Sequence, residues 1–283
     1  MEFAELILEE REFQKIRSIV YETSGISLAD SKKALVVSRL TRRLQQLKVP
    51  SFQGYVRRLE TNPDEIHLLI NRITTNLTKF YREKHQFEVL SKQILPVVLE
   101  NKETQKEKKL RIWSAGCSTG EEVYSILFEI LKTHNGRNLL HHPLSFDVKI
   151  LGSDIDTNVL EKAESGQYNE EETRGLDKST LNRYFDNVSP GEYRVKEEVK
   201  KFVSFKRLNL VHDAFRFKHK IDIIFCRNVV IYFNPKTRQA VYDKFHAVLG
   251  DPGFFFSGHS ENLFQYRHLF KFVEKSIYKK VVT

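Results

Sequence analysis

The chain of 283 residues is 40% hydrophobic and 29% charged and has a formal net charge of +9, a composition typical of a globular protein with one large or two modest domains. No apolar run approaches the ~20 residues that a membrane-spanning helix requires, and the acidic first residues are unlike a signal peptide, so we expect no direct membrane insertion. The only cysteines, Cys117 and Cys226, cannot build a disulfide framework, which predicts a cytoplasmic location and no metal site.

The first predicted unit is a small, all-helical domain over residues 1–75. Its apolar residues recur at helical spacing without strand-like alternation. The turn at Asn62-Pro63-Asp64 separates two of the helices, and we expect the last helix to end near Ile73. Residues 76–109 are predicted to form a linker and a connecting helix that runs from about Lys84 to Glu100.

Basic charge is concentrated in this helical region. The segment from Ser31 to Arg58 contains eight basic residues and no acidic one. Three of its arginines, Arg39, Arg42 and Arg43, are spaced to share one flank of a helix. Such a flank predicts a docking surface for an acidic partner, although a solvated helix face is the common alternative.

From residue 110 to the C-terminus, short apolar strands alternate with helices. This order predicts an α/β domain over residues 110–283 with a doubly wound, mostly parallel sheet. The alternating tail, residues 270–282, is predicted to add an antiparallel edge strand. Residues 167–207, around the Pro190-Gly191 turn, interrupt the alternation and predict a small inserted antiparallel β subdomain. Ligands of such sheets bind beyond the carboxyl ends of the strands.

A turn of small residues, Gly116-Cys117-Ser118-Thr119-Gly120, joins the first strand of this sheet to a helix. Glycine at the start of such a turn, here Gly116, lets the backbone approach a ligand closely. Glu121 and Glu122 follow, where a phosphate-binding loop would have Lys and then Ser or Thr. Carboxylates repel phosphate but suit an ammonium group or ribose hydroxyls, and S-adenosylmethionine carries both. The alternative role for either glutamate is stabilisation of the helix dipole.

Asp154 ends the second predicted strand. An acidic side chain at that position can accept hydrogen bonds from both hydroxyls of a ribose. The alternative is an N-cap of the following helix, a role that Asp156 or Thr157 can also fill. The spacing from Gly116 exceeds the usual ~20 residues, which we attribute to the loop 134–145. We therefore expect Asp154 to bind the ribose.

Six motifs follow one another along the chain. They are NLTKFYRE, SAGCSTGEEVYSI, GSDIDTNVLEKA, RLNL, FCRNVVIYF and GHSEN. In this order they resemble the CheR family of chemotaxis receptor methyltransferases, and the resemblance extends from Gly25 to about residue 281. It implies a Rossmann-like methyltransferase sheet, S-adenosylmethionine as the cofactor with S-adenosylhomocysteine as the product, and a chemoreceptor glutamate as the methyl acceptor.

The resemblance also implies individual site residues. Cofactor contacts are implied for Asn76, Thr78, Arg82, Asn209, Leu210, Arg227, Asn228 and one of Glu121 and Glu122. Asn209 and Leu210 resemble a pair that flanks the adenine, and Tyr232 is implied to join Arg82 at the methyl-transfer site. Thr78 and Arg82 are four residues apart, so we expect a helix to place them on one face. The alternatives are helix capping or packing, and for Arg227 a loop turn.

A glutamate acceptor needs no general base, because its carboxylate is already ionised at neutral pH. We expect Arg82 and Tyr232 to orient that carboxylate, and the basic flank to dock the Glu-rich methylation helices of the receptor. The family's β subdomain can bind a peptide at the receptor's C-terminus, but this loop has only Gly191, which argues against such tethering. We expect a monomer.

Two other functional classes share parts of this pattern. A nucleic-acid methyltransferase would use the same sheet and also be basic, but it would need base-stacking aromatics, and FCRNVVIYF is no base-binding motif that we recognise. A non-catalytic regulator would keep the fold without turnover, which the intact Arg82, Tyr232 and Asp154 argue against. We expect no nucleic-acid partner.

Overall fold

The computed structural model describes residues 6–133 and 146–282, so the loop 134–145 lies outside the described residues. The chain begins with a helical domain and continues into a sheet domain. The helices of the first domain are α1 (Glu10–Ser24), α2 (Lys33–Gln46), α3 (Phe52–Thr61) and α4 (Pro63–Ile73), with a 3₁₀ turn at Asp30–Lys32 before α2. Within the described ranges, no helix has the length and apolarity needed to cross a membrane.

The helical domain has a hydrophobic core of its own. The fully buried side chains at helical spacing include Phe13, Ile16, Val20, Val36, Leu40, Leu44, Tyr55 and Leu69. Local signals set the helix ends: the Ser51 hydroxyl accepts a hydrogen bond from the Gly54 N–H, and Asn62 caps α4 with Pro63 in the first turn. The domain therefore packs around apolar stripes that the sequence predicts.

The segment between the domains, residues 74–84, is not helical. The predicted helical face for Thr78 and Arg82 is therefore wrong. The backbone takes left-handed conformations at Tyr81 (φ +52°) and Glu83 (φ +60°), and the Phe80 side chain is buried in the core of the sheet domain. The buried Phe80 side chain therefore anchors this segment, which does not form a helix. The helix α5 (His85–Val89) follows and continues through a π-helical turn, Leu90–Ile94, into α6 (Leu95–Thr104).

The main sheet has seven strands in the order β6-β2-β1-β7-β8-β10-β9, and its first five are parallel. The strands are β1 (Lys109–Ala115), β2 (Asp147–Asp154), β6 (Val203–Arg207), β7 (Ile221–Cys226), β8 (Leu249–Ser257), β9 (Phe270–Glu274) and β10 (Ile277–Lys280). The long helices beside them are α7 (Glu121–Thr133), α8 (Thr157–Ser165) and α12 (Pro235–Val248).

Helices cover both faces of this sheet. Alternate residues of β7 belong to different hydrophobic clusters: Phe225 packs in the cluster that contains Leu127 of α7, whereas Ile224 packs in the cluster that contains Phe245 of α12. A parallel sheet with helices on both faces buries its strands completely. The predicted doubly wound α/β fold, preceded by an all-helical domain, is confirmed.

The tail of the chain is a hairpin rather than one edge strand. β9 and β10 are antiparallel to each other, and β10 lies between β8 and β9. Lys275 and Ser276 make the turn with positive φ values of +32° and +66°. Neither residue is a glycine, asparagine or aspartate, the residues that mark positive-φ hairpin turns, so the alternating pattern of the tail conceals the turn.

The inserted subdomain is shorter than the predicted range 167–207. Its three antiparallel strands are β3 (Gln167–Asn169), β4 (Phe185–Ser189) and β5 (Glu192–Val195), with the short helices α9 (Glu170–Thr173) and α10 (Lys178–Tyr184). The helix α11 (Glu197–Lys200) then leads to β6, which pairs with β2 of the main sheet. Short polar strands look alike in sequence whichever sheet they join, so the pattern alone does not separate β6 from the insertion.

Candidate functional site

A cavity of about 610 Å³ lies between the helical domain and the carboxyl ends of β1, β2 and β7. Its lining includes all of the predicted cofactor and catalytic residues except Glu121, and it also includes Arg39. The sheet contributes the floor, and residues 73–79 together with Ile26 and Leu28 contribute the opposite wall. Residues from seven separate chain segments therefore meet in one space.

Direct hydrogen bonds hold the two walls together. The Ser27 N–H donates to the Tyr232 carbonyl at 2.8 Å, and Ile26 forms an isolated antiparallel bridge with Phe233. The Asn209 side-chain amide donates to the Thr23 carbonyl at 2.6 Å. The helical domain is thus fixed to strand-end loops of the sheet domain on the rim of the cavity.

Gly116 gives the turn after β1 its shape. Its φ is +82°, and a Cβ atom at this position would lie 2.3 Å from Cγ2 of Val229. No larger residue fits without displacing Val229, and the positive φ would strain any other side chain. The turn is closed by the Ser118 N–H, which donates to Oδ2 of Asp154 at 2.9 Å.

Asp154 is positioned toward the cavity and does not cap the following helix. Its Oδ1 accepts a hydrogen bond from the Asp156 N–H at 3.0 Å, while the cap of α8 is Asp156, which accepts from the Asn158 N–H at 2.9 Å. Burial raises the pKa of Asp154. Of the two roles that the sequence leaves open, capping therefore falls to Asp156.

Glu121 and Glu122 have different environments although they are adjacent. Glu122 lines the cavity, where its Oε1 accepts from the Ser114 hydroxyl at 2.7 Å and its Oε2 from Nη1 of Arg227 at 3.0 Å. Glu121 is not part of the lining and accepts from the Thr119 hydroxyl at 2.7 Å; burial raises its pKa. The carboxylate that faces the cavity is the one on Glu122.

Arg227 is buried and engaged by protein groups. Its side chain is 2% exposed, forms ion pairs with Glu122 and with Glu83 (3.1 Å), and donates to the backbone carbonyl of Arg82. Arg227 therefore has a structural role at the end of β7, and it also lines the cavity. Its neighbour Asn228 has a φ of +60°, and its Oδ1 is buried without a hydrogen-bond partner among the described residues.

The Asn209 amide, which we expected beside the adenine, is already hydrogen-bonded within the protein. In addition to its bond to Thr23, its Oδ1 accepts from the N–H groups of Val211 (2.9 Å) and His212 (3.3 Å). Leu210 provides an apolar surface to the same part of the cavity. Both residues line the cavity. The Asn209 side chain is engaged in joining the domains, so Leu210 is the member of the pair that offers a free, apolar surface.

The NLTKFYRE segment is held over the strand ends by polar contacts. The Asn76 side chain donates to Oδ2 of Asp156 at 2.7 Å, and its carbonyl accepts from the Ser118 hydroxyl at 2.9 Å. Nη1 of Arg82 donates to the Leu77 carbonyl at 2.8 Å. Thr78, Arg82 and the 37% exposed Tyr232 all line the cavity, so the structure brings the two predicted catalytic residues to the same space.

The predicted basic flank is largely committed to the fold. Arg39 donates to the carbonyls of Arg72, Ile73 and Thr74 at the C-terminus of α4, where backbone acceptors lack helical partners. Arg43 pairs with the buried Glu65. Only Arg42 of the three arginines is exposed. Two of the three arginines satisfy buried or orphaned acceptors, and a docking role for this flank stays a prediction.

Two residues that shape the site are missing from the sequence-based prediction. Ser118 links the glycine turn to both Asp154 and Asn76, and Glu83 pairs with Arg227. Both lie inside the motifs quoted above. The available signal for Glu83 is its place in the motif NLTKFYRE, directly after Arg82.

Comparisons with known proteins agree with this geometry. Residues 76–279 match the family described as "CheR methyltransferase, SAM binding domain", and residues 11–74 match "CheR methyltransferase, all-alpha domain". The chain is 40% identical over 272 residues to "Chemotaxis protein methyltransferase 2" of Pseudomonas aeruginosa, covering 94% of this chain and 92% of the relative. It is 38% identical over 281 residues to "Chemotaxis protein methyltransferase" of Escherichia coli, covering 96% and 92%.

Proposed function

The chain belongs to the CheR methyltransferase family, and from that premise we propose that it methylates side-chain carboxylates of glutamates on a chemoreceptor in the cytoplasm. The products would be glutamate methyl esters and S-adenosylhomocysteine. The relatives that it matches are chemotaxis protein methyltransferases, which supports a chemosensory role. The structure adds a second line of support for the proposal, which is the distribution of charge in the cavity.

The cavity residues fit S-adenosylmethionine. Glu122 offers a carboxylate to an ammonium group, Asp154 offers one to ribose hydroxyls, and the buried Oδ1 of Asn228 still lacks a hydrogen bond among the described residues. Gly116 lines the cavity with its backbone alone, which lets a ligand approach the turn closely. When bound, the cofactor supplies an electrophilic methyl group on a sulfonium.

The observation that carries the proposal is the separation of charge within the cavity. The acidic side chains, Glu122 and Asp154, come from the strand-end turns of the sheet domain. The basic side chains of the lining that form no ion pair with another described residue come from the helical domain and the connecting segment; they are Lys32, Arg39, Lys79 and Arg82. A cationic donor and an anionic acceptor would bind at opposite ends of such a cavity. This arrangement supports a carboxylate acceptor that approaches from the helical side.

Orientation of the acceptor is the task left to Arg82 and Tyr232. A glutamate carboxylate with a reference pKa of about 4.3 is ionised at neutral pH, so no side chain has to remove a proton. The Arg82 guanidinium can hold one carboxylate oxygen while its Nη1 remains bonded to Leu77, and the Tyr232 hydroxyl can donate to the other. Strong pairing in the ground state would slow the reaction, which favours a restrained and partly exposed arginine.

Docking would use the exposed basic residues of the helical domain. Arg42 is exposed on α2, and Arg57 is exposed on α3 in the same acid-free segment. We propose that these residues attract the acidic methylation helices of the receptor directly. The loop between β4 and β5 has only Gly191, so we propose no tethering through a receptor C-terminal peptide, and we propose a monomer.

The test is methyl transfer to receptor-containing membranes with methyl-labelled S-adenosylmethionine. Glutamate methyl esters hydrolyse in alkali and release volatile labelled methanol, which methylated RNA and methylated amines do not. Wild-type protein should give base-labile label, and R82A should reduce it at least a hundredfold. A receptor with glutamine at its acceptor positions is the matched substrate control. Base-stable label, or label on RNA alone, would refute the proposal.

A further inference from the structure

Arg227 lies between two carboxylates in the wall of the cavity. Its Nη1 is 3.0 Å from Oε2 of Glu122, and its Nη2 is 3.1 Å from Oε2 of Glu83. The exposed fractions of the Arg227, Glu83 and Glu122 side chains are 2%, 12% and 13%. The proposed function uses Glu122 but assigns nothing to Glu83.

The charges of this cluster do not balance. One guanidinium faces two carboxylates, so the cluster has a net charge of −1 when both glutamates are ionised. With Glu122 alone, the pair with Arg227 would be neutral and would attract a cation weakly. In a buried setting such a charge acts strongly, because little water screens it. An ammonium group next to Glu122 would bring the cluster to neutrality.

From this imbalance we propose that Glu83 is a positioning residue that acts through Arg227. By taking up part of the Arg227 charge, Glu83 leaves Glu122 with negative charge for the ammonium group of the methyl donor. The inference rests on the proposed role of Glu122 in the function stated above. The new element is that Glu83 sets how strongly the Glu122 carboxylate attracts a cation.

The local structure shows that Glu83 is held in place for this contact. Its backbone has a φ of +60°, which is unfavourable for a glutamate, and such strain persists where surrounding contacts fix it. The His259 N–H donates to its Oε1 at 3.4 Å. Oε2 accepts no well-directed hydrogen bond among the described residues, so its interaction with Arg227 is an ion pair. The His259 ring, which stacks on His85, covers the outer side.

Calorimetry with two nucleosides tests the proposal without any acceptor protein. S-adenosylhomocysteine carries the ammonium group, whereas 5′-methylthioadenosine lacks the amino-acid part. We expect E83Q to bind S-adenosylhomocysteine about tenfold more weakly, which is about 1.4 kcal/mol, and methylthioadenosine within about twofold of wild type. The matched control is E88Q, which removes an exposed carboxylate on α5 outside the cavity lining.

A double-mutant cycle separates the electrostatic role from a structural one. If Glu83 acts through Glu122, E83Q should have no further effect on S-adenosylhomocysteine affinity in an E122Q background. Equal weakening of both nucleosides by E83Q, no weakening of either, or additive effects in the cycle would overturn the proposal. E83D keeps the charge, so the ratio of its affinities for S-adenosylhomocysteine and methylthioadenosine should match that of wild type. A ratio as low as that of E122Q would also overturn the proposal.

The same data distinguish this proposal from the proposed function. If wild-type protein binds S-adenosylhomocysteine no better than methylthioadenosine, the role of Glu122 fails. If wild type discriminates between them and E83Q discriminates equally well, only the role of Glu83 fails. Thermal unfolding of each variant, recorded without ligand, shows whether the fold is retained.

Discussion

Arg43 and Glu65 form a two-pronged ion pair inside the helical domain, with Nε 2.9 Å from Oε1 and Nη2 2.6 Å from Oε2. The Glu65 side chain is 1% exposed and also accepts a hydrogen bond from the Tyr55 hydroxyl. The Arg43 guanidinium also holds the pKa of Glu65 below its usual value, although burial acts in the opposite direction. The pair makes Arg43 a structural residue of the helical domain.

R43A should therefore destabilise the protein, because it leaves the Glu65 carboxylate buried with weaker partners. We expect a loss of about 2–3 kcal/mol in the free energy of unfolding. The exposed neighbour provides the matched variant: R42A should change stability by less than about 0.5 kcal/mol and should weaken receptor binding instead. Urea unfolding and receptor co-sedimentation measure the two effects. A stable R43A variant, or unchanged receptor affinity in R42A, would contradict this division.

Replacing Glu121 and Glu122 one at a time should separate the roles of these two neighbouring carboxylates. E122Q removes the charge that faces the cavity, so we expect about tenfold weaker binding of S-adenosylhomocysteine. E121Q changes a carboxylate outside the cavity lining, and its affinity should stay within about twofold of wild type. Titration calorimetry of both variants measures this difference. The assignment of Glu122 would be lost if E121Q were the weaker binder.

E121Q should also stabilise the protein at neutral pH. Burial raises the pKa of Glu121 above its ordinary value near 4.5, so folding free energy is lost as the pH rises from 4.5 through the folded-state pKa, and the loss is complete above it. Glutamine removes that cost and still accepts the Thr119 hydrogen bond. We expect an unfolding temperature higher by about 2 °C at pH 7.5. The difference should shrink below the folded-state pKa and vanish below pH 4.5. An equal difference at all pH values would exclude this cause.

Gly116 and Gly191 form a matched pair of left-handed glycines. Both have positive φ, but a Cβ atom at Gly116 would meet Val229 at 2.3 Å, whereas at Gly191 the nearest atom is 3.7 Å away. G191A should cost about 1 kcal/mol from backbone strain alone. G116A should cost about 2 kcal/mol more and abolish nucleoside binding. Adding V229A to G116A should recover part of the stability. Equal costs in thermal unfolding would argue against a steric origin.

Local signals account for the parts of the fold that the sequence predicts well. The helices Glu121–Thr133 and Pro235–Val248 lie in the region where the sequence predicts strands alternating with helices. Asp156 and Asn234 cap their helices through contacts within three residues. The strand ends converge because parallel strands share one edge, which places Asp154 beside the glycine turn.

Contacts between distant segments account for what the sequence does not predict. The conformation of residues 74–84 depends on Phe80, which packs into another domain's core, and on Arg227, which is 145 positions from Arg82. The strand β6 becomes part of the main sheet only through its pairing with β2. The direction of each glutamate carboxylate in the glycine turn depends on Arg227 for Glu122 and on Thr119 for Glu121.

The two walls of the cavity belong to separate hydrophobic clusters that share Ile26 at their border, and hydrogen bonds such as Asn209 to Thr23 join them. Amino-acid changes in the helical wall can therefore alter which target is accepted while the floor keeps its recognition of the donor. Because the two walls are joined in this way, the choice of target and the binding of the methyl donor can change separately in evolution. Related enzymes could diversify their signalling inputs by varying one half of the molecule.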